Sequence, residues 1–199
     1  PGSPLTLERM TADVRDLMAH LGVPKAHFIC NATGGYLGQH LAATSPGRAQ
    51  SLVLFSSTPG QKNAGTAAWI PRIRAIGLRA FLEESIAGRL ATERLDPRYL
   101  KWYVDEAAKN DEGFIIRLLE LMSALDLSEE LDFIRCPVML MVPGSRDQPG
   151  GPYDVMRQRL SDVKVVTVPN GPQGLCDSDP ARCAAEALAF HEERFAQEN

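Results

Sequence analysis

What the sequence lacks narrows its function first. No apolar run approaches the roughly 20 residues that a membrane-spanning helix needs; the longest, such as Val138 to Val142 and Ser51 to Phe55, are strand-length. No membrane partner is expected. There is no basic stripe either: 21 Lys and Arg stand among 25 Asp and Glu, for a net charge of -4 with the signs interspersed. A phosphate backbone would find no surface to gather on, so no nucleic acid is expected as a partner. The four cysteines, Cys30, Cys136, Cys176 and Cys183, have neither CxxC spacing nor histidines at zinc-ligand spacing. Free thiols in a reducing cytoplasm are therefore expected, rather than a Cys176–Cys183 bridge, and neither a metal nor another cofactor. The opening Pro1-Gly2-Ser3-Pro4 has no initiator methionine, no positive start and no apolar signal core, and reads as a processed product or a fragment without an export address.

What is present is enough for one core. At 199 residues, 44% hydrophobic and 23% charged, the chain suits a single globular domain. Leu7, Met10, Val14, Leu17, Met18 and Leu21 recur at helical spacing behind Thr6, a candidate cap. After Gly22 and Pro24 comes a short buried strand, Ala26 to Cys30, then the turn Asn31-Ala32-Thr33-Gly34-Gly35 and a helix to about Thr44. Ser51 to Phe55 is a second buried strand, of the kind found in parallel sheets covered on both faces. From Gln61 to about Asp132 strand signals disappear, and Ala67 to Ile73, Leu78 to Leu90, Pro97 to Ala107 and Glu112 to Leu125 read as consecutive helices. Alternation resumes with strand Val138 to Val142, helix Tyr153 to Leu160, strand Lys164 to Val168 and helix Pro180 to Phe195. The expected organisation is an α/β core of residues 1–60 and 133–199 with an all-helical cap at 61–132. Ligands of open parallel sheets bind at the carboxyl ends of the strands, which directs attention to the loops 31–35, 143–151 and 169–179.

The series Leu21-Gly22-Val23-Pro24, His27-Phe28-Ile29-Cys30, Gly34-Gly35, Gln39-His40-Leu41-Ala42, Ser45-Pro46-Gly47-Arg48 and Ser51-Leu52-Val53-Leu54 resembles the α/β-hydrolase superfamily over nearly the whole chain. It is most similar to the small-cap esterase and lactonase branch that includes 3-oxoadipate enol-lactonases. The resemblance implies an α/β-hydrolase-like, mostly parallel sheet flanked by helices and topped by a helical cap. It also implies several strands ahead of the first helix, which this chain does not contain. The expected cover for that side of the sheet is a second polypeptide segment or a homodimer mate.

The resemblance further implies a nucleophile elbow G-x-S-x-G. Here it reads Cys30-Asn31-Ala32-Thr33-Gly34, so a methyl group stands where the serine hydroxyl is expected. A single serine-to-alanine exchange would account for Ala32 and not for Cys30. The family's acid maps onto Asp147 in Val142-Pro143-Gly144-Ser145-Arg146-Asp147, and its histidine onto Gln173 in the loop before Pro180. A glutamine amide accepts no proton near neutral pH, so the triad is degenerate and Asp147 is its one surviving candidate. His20, His27, His40 and His191 all lie in helices or strands and are expected to be structural. Thr33, Cys30 and Cys176 have no identifiable base and are expected to be inert.

The expected ligand pocket comprises Asn31, Ala32, Thr33, Asp147 and Gln173 beneath the cap, with Trp69, Ile70, Trp102 and Tyr103 as cap candidates to face it. Three functions compete: a non-hydrolytic binder of small carbonyl or carboxyl compounds, an enzyme of another reaction class (lyase, isomerase, cyclase or cofactor-free oxygenase) with Asp147 as acid or base, and a structural or partner-binding subunit with a vestigial pocket.

Overall fold

The computed structural model describes residues 4–62 and 64–196; Pro1-Gly2-Ser3, on which the reading of the chain's start rests, lies outside the described residues. Helix α1 (Leu7–His20) begins where Thr6 Oγ1 accepts the Arg9 N–H at 3.1 Å, satisfying one of the donors that a helix start leaves open. Strand β1 (Ala26–Asn31), helix α2 (Gly34–Thr44) and strand β2 (Ala49–Phe55) follow, then the helices α3 (Trp69–Ile76), α4 (Leu78–Ser85), α5 (Pro97–Ala107) and α6 (Glu112–Ala124). The chain then returns through β3 (Val138–Pro143), α7 (Pro152–Arg159), β4 (Val163–Val168), α8 (Leu175–Ser178) and α9 (Pro180–Phe195). The single turn α8 has no sequence signal, because four residues are too few to show a period.

The four strands pair in the order β1-β2-β3-β4, all parallel, with Phe28 opposite Leu52, Leu52 opposite Val138 and Val138 opposite Val163. Alternation along each strand sends residues to two separate cores. Leu52, Leu54, Val138 and Leu140 pack under α2 and α7 with Leu41 and Met156, while Val53, Phe55, Met139 and Met141 pack against α9 through Phe190. Fully burying each such side chain contributes about 1.5 to 3 kcal/mol. Strand β1 is covered less well than the others. Phe28 and Cys30 face the α2 side, but on the α9 side Ile29 remains 67% exposed.

The helical insertion has its own core of Ile73, Leu78, Phe81, Leu82 and Val104. Its two ends meet where Gly60 and Asp126 form an antiparallel bridge and the Leu127 N–H donates to the Pro59 carbonyl at 2.7 Å. The return therefore comes earlier than the expected boundary at residue 132: Leu131 and Ile134 already pack in the core beneath α2. Among the described residues, no helix is long and apolar enough to cross a membrane.

Candidate functional site

The turn between β1 and α2 holds Ala32 at φ 46°, in the left-handed region that L-residues seldom adopt. Neighbouring strand ends fix it there. The Ala32 N–H donates to the Phe55 carbonyl at 2.9 Å, and the Ser57 hydroxyl donates to the Ala32 carbonyl at 3.0 Å. Ser57 also shows which glycine the elbow needs. A Cβ on Gly35 would lie 2.1 Å from Ser57 Oγ, whereas one on Gly34 would meet nothing within 4 Å.

The unusual Cys30 is accommodated in the same way. A Cβ on Gly38, one turn into α2, would come within 2.7 Å of Cys30 Sγ and 2.9 Å of Leu52 Cδ1. Space that the elbow motif saves with a glycine on the strand is here saved on the helix. Burial pushes the Cys30 thiol up to about 12, so it is no nucleophile near neutral pH. The Cys176 thiol is also raised, first by its hydrogen bond to Cys183 and then by burial. All four cysteines are free.

Gln173, in the loop after β4, turns its amide back to the sheet: Nε2 donates to the Ser56 carbonyl at 3.1 Å. Asn31, Ala32, Thr33 and Gln173 line one cavity of about 620 Å³, roofed by insertion residues including Trp69, Phe81, Arg89 and Tyr103. Ile70 and Trp102 are not among its walls; Ile70 is buried and Trp102 stacks near Tyr99.

Asp147 is a correction to the expected pocket, since it does not line this cavity. Both its oxygens are taken by Arg157 of α7, at 2.9 and 2.7 Å, and the Thr167 hydroxyl adds a longer contact at 3.3 Å. A bidentate guanidinium partner outweighs the solvated alternative open to a loop carboxylate. None of the four histidines lines the cavity. His40 bridges Glu8 at 2.9 Å and Glu130 at 2.7 Å, and His27 meets Ser51 at 2.8 Å beside His191 and Phe195. These are packing and pinning roles away from the cavity walls.

Other wall residues carry no sequence signal. Arg89, Arg146, Tyr153 and Asp177 line the cavity, but charges and aromatics in these stretches read equally well as solvated or packed. Ser56, Gln61, Thr66 and Tyr153, all wall residues, each carry a buried polar atom without a hydrogen-bond partner. The insertion clasps the loop of Gln173 at three points. The Gly174 N–H donates to the Arg89 carbonyl at 2.7 Å, the Ala91 N–H to Ser178 Oγ at 3.2 Å, and the Tyr99 hydroxyl to Asp177 at 2.8 Å.

An elbow at the carboxyl end of β1, an acid loop after β3 and a base loop after β4 are the three stations of one superfamily, and the profile of the alpha/beta hydrolase family matches residues 1–186. The chain belongs to the alpha/beta hydrolase family. Its relatives include a putative carbamate hydrolase RutD of Stutzerimonas stutzeri (strain A1501), 26% identical over an alignment of 164 residues, which covers 72% of this chain and 59% of the relative. A second putative carbamate hydrolase RutD, of Caulobacter sp. (strain K31), is 25% identical over 198 residues, 94% of this chain and 73% of the relative. This alpha/beta hydrolase thus spans about three fifths of the length of the first relative and about three quarters of the second. Among solved structures, the enol-lactonase of Burkholderia xenovorans LB400 superposes with a TM-score of 0.82 at 20% identity, covering 96% of this chain and 74% of that one. At that identity the likeness is one of fold.

Proposed function

We propose that this alpha/beta hydrolase homologue keeps the cavity of an ester or lactone hydrolase and binds a small molecule there without serine hydrolysis. The observation that carries the reading is Ala32: the elbow backbone is retained at φ 46°, with a methyl group at its tip. A methyl group has no lone pair to attack a carbonyl. Gln173 supports the reading, because its amide is engaged with the Ser56 carbonyl and takes no proton near neutral pH. The acid Asp147 is engaged with Arg157, which gives little support to an enzyme of another class built on that carboxylate. A vestigial pocket is disfavoured by the volume of about 620 Å³ and by the charged and hydroxylic side chains in its walls. Thr33 precedes α2, and although the Gly35 and Tyr36 N–H groups donate to the Ala32 and Thr33 carbonyls, the positive end of the helix dipole there favours an oxygen-rich ligand group. The same reading includes a cover for the open edge of β1, supplied by a second polypeptide segment or a second copy.

The test is turnover of p-nitrophenyl acetate together with labelling by a fluorophosphonate. Rates equal to those of the Ala32→Gly variant, with no label incorporated, are expected. Turnover well above that variant, or stoichiometric labelling, would overturn the reading.

A further inference from the structure

Among the described residues neither cation of the cavity walls, Arg146 or Arg89, forms an ion pair, and Arg89 is the one set against aromatic rings. Its guanidinium lies 5.0 Å from the ring centroid of Trp69 and 5.5 Å from that of Phe81. The groups acting on it are burial, which pulls it below an arginine's usual range, and the Tyr103 hydroxyl, which opposes this. Among the described residues no carboxylate pairs with it. Glu84 is also in the wall but is held by Arg72, and Asp177 accepts from Tyr99. A guanidinium stays protonated even when partly desolvated, so Arg89 is a cation short of an anion.

Its position is also fixed in advance. The Arg89 carbonyl accepts the Gly174 N–H at 2.7 Å, which ties the residue to the loop that places Gln173 across the cavity. Two aromatic rings restrain the head, and they favour a cation over their faces. A side chain ordered before the ligand arrives loses little rotamer freedom on binding. The sum of wall charges selects the kind of anion. Arg89 and Arg146 are matched in number by Glu84 and Asp177, and neither carboxylate pairs with Arg89, so the walls hold no net positive charge for a second negative charge on the ligand.

We propose that Arg89 determines the cavity's ligand class, its guanidinium over the Trp69 and Phe81 rings holding the carboxylate of a small monocarboxylate. This rests on the reading of the cavity as a non-hydrolytic binding site. The planar fork of Arg89 matches a carboxylate bidentately, and the apolar remainder of the ligand lies along the rings. The amide of the same ligand has the same shape but no charge to meet the guanidinium.

The test uses Trp102→Phe protein, in which Trp69 is the remaining tryptophan. Trp69 fluorescence is titrated with phenylacetate, phenylacetamide, methyl phenylacetate and inorganic phosphate. Phenylacetate is expected to bind roughly 10- to 100-fold tighter than phenylacetamide, the range of a charge-assisted hydrogen-bond pair. Arg89→Met is expected to bring the ratio of phenylacetate to phenylacetamide affinity to about one while some binding of both is retained, and Arg89→Lys to keep part of the preference. Retained amide binding, or the partial preference in the lysine variant, separates loss of charge from loss of fold. Equal binding of acid and amide, binding of neither, or phosphate competing as well as phenylacetate would overturn the assignment of Arg89. Release of phenylacetate from its methyl ester would instead overturn the non-hydrolytic reading and leave the carboxylate site standing.

Discussion

Arg157 holds both oxygens of Asp147, with Nη2 donating to Oδ2 at 2.7 Å and Nη1 to Oδ1 at 2.9 Å, so this carboxylate is part of a fork between the loop after β3 and α7. This pair is half-buried, with side-chain exposures of 29% for Arg157 and 19% for Asp147. Its hydrogen bonds hold the Asp147 carboxyl below its ordinary 3.8, against the opposing effect of burial.

A carboxyl with a depressed folded value contributes stability above its unfolded value and loses it as pH falls through the folded one. Asp147→Asn is therefore expected to cost about 1 to 2 kcal/mol near neutral pH, between the values of exposed and buried pairs. The cost should shrink as pH falls below 3.8. Urea unfolding at several pH values measures it, and phenylacetate binding should be unchanged. A variant that lost binding without losing stability would return Asp147 to the site.

Gly38 faces Cys30 Sγ and Leu52 Cδ1 so closely that Gly38→Ala is expected to destabilise by overpacking, at about 1 to 3 kcal/mol. Cys30→Ala should recover part of this loss, because it removes the sulfur and leaves Leu52 in place. A double-mutant cycle in urea reads the coupling. Strict additivity of the two changes would mean that Cys30 and Gly38 do not share the space.

His40 predicts the alkaline side of the stability profile. Burial lowers its proton affinity, but the hydrogen bonds to Glu8 and Glu130 together prevail, so its folded value lies above 6.5. A raised value means that the contribution is complete below 6.5 and is lost as pH rises through the folded value. Glu8, lowered first by His40 and then by Arg15, sets the acid limit: its contribution is present above 4.5 and fades below. Unfolding midpoints should thus decline from pH 6.5 upward in the parent protein, and His40→Gln should flatten that decline. An equal slope in the variant would assign it to other groups.

Much of the fold is legible without coordinates. The apolar strands Val138 to Val142 and Ser51 to Phe55, the helical periods between Leu7 and Leu21, and the loss of strand signal after Gln61 each report a local spacing that burial imposes. The resemblance to the α/β-hydrolase superfamily is also local, and it is what directs attention to Ala32, in the turn after a strand, and to Gln173, in the loop before the last helix. Arg89 is illegible by the same means. The helical spacing expected from Leu78 to Leu90 runs across it, whereas α4 ends at Ser85, and its meaning depends on Trp69, twenty residues earlier, and on Gly174, far later in the chain. Asp147 is misleading for a related reason. Its place in the motif is local, but its partner Arg157 was free in sequence terms to point anywhere on α7.

The sequence by itself determined the order of elements, the strand-end loops and the residues Ala32 and Gln173 that stand in them, since each depends on residue type and near neighbours. Tertiary structure decided which of those loops share a cavity, that Gly38 makes room for Cys30, that Arg157 claims Asp147, and that among the described residues Arg89 has no carboxylate. The physical reason is that electrostatic pairing and close packing act through space over a few ångströms, and only the folded chain brings distant residues within that range.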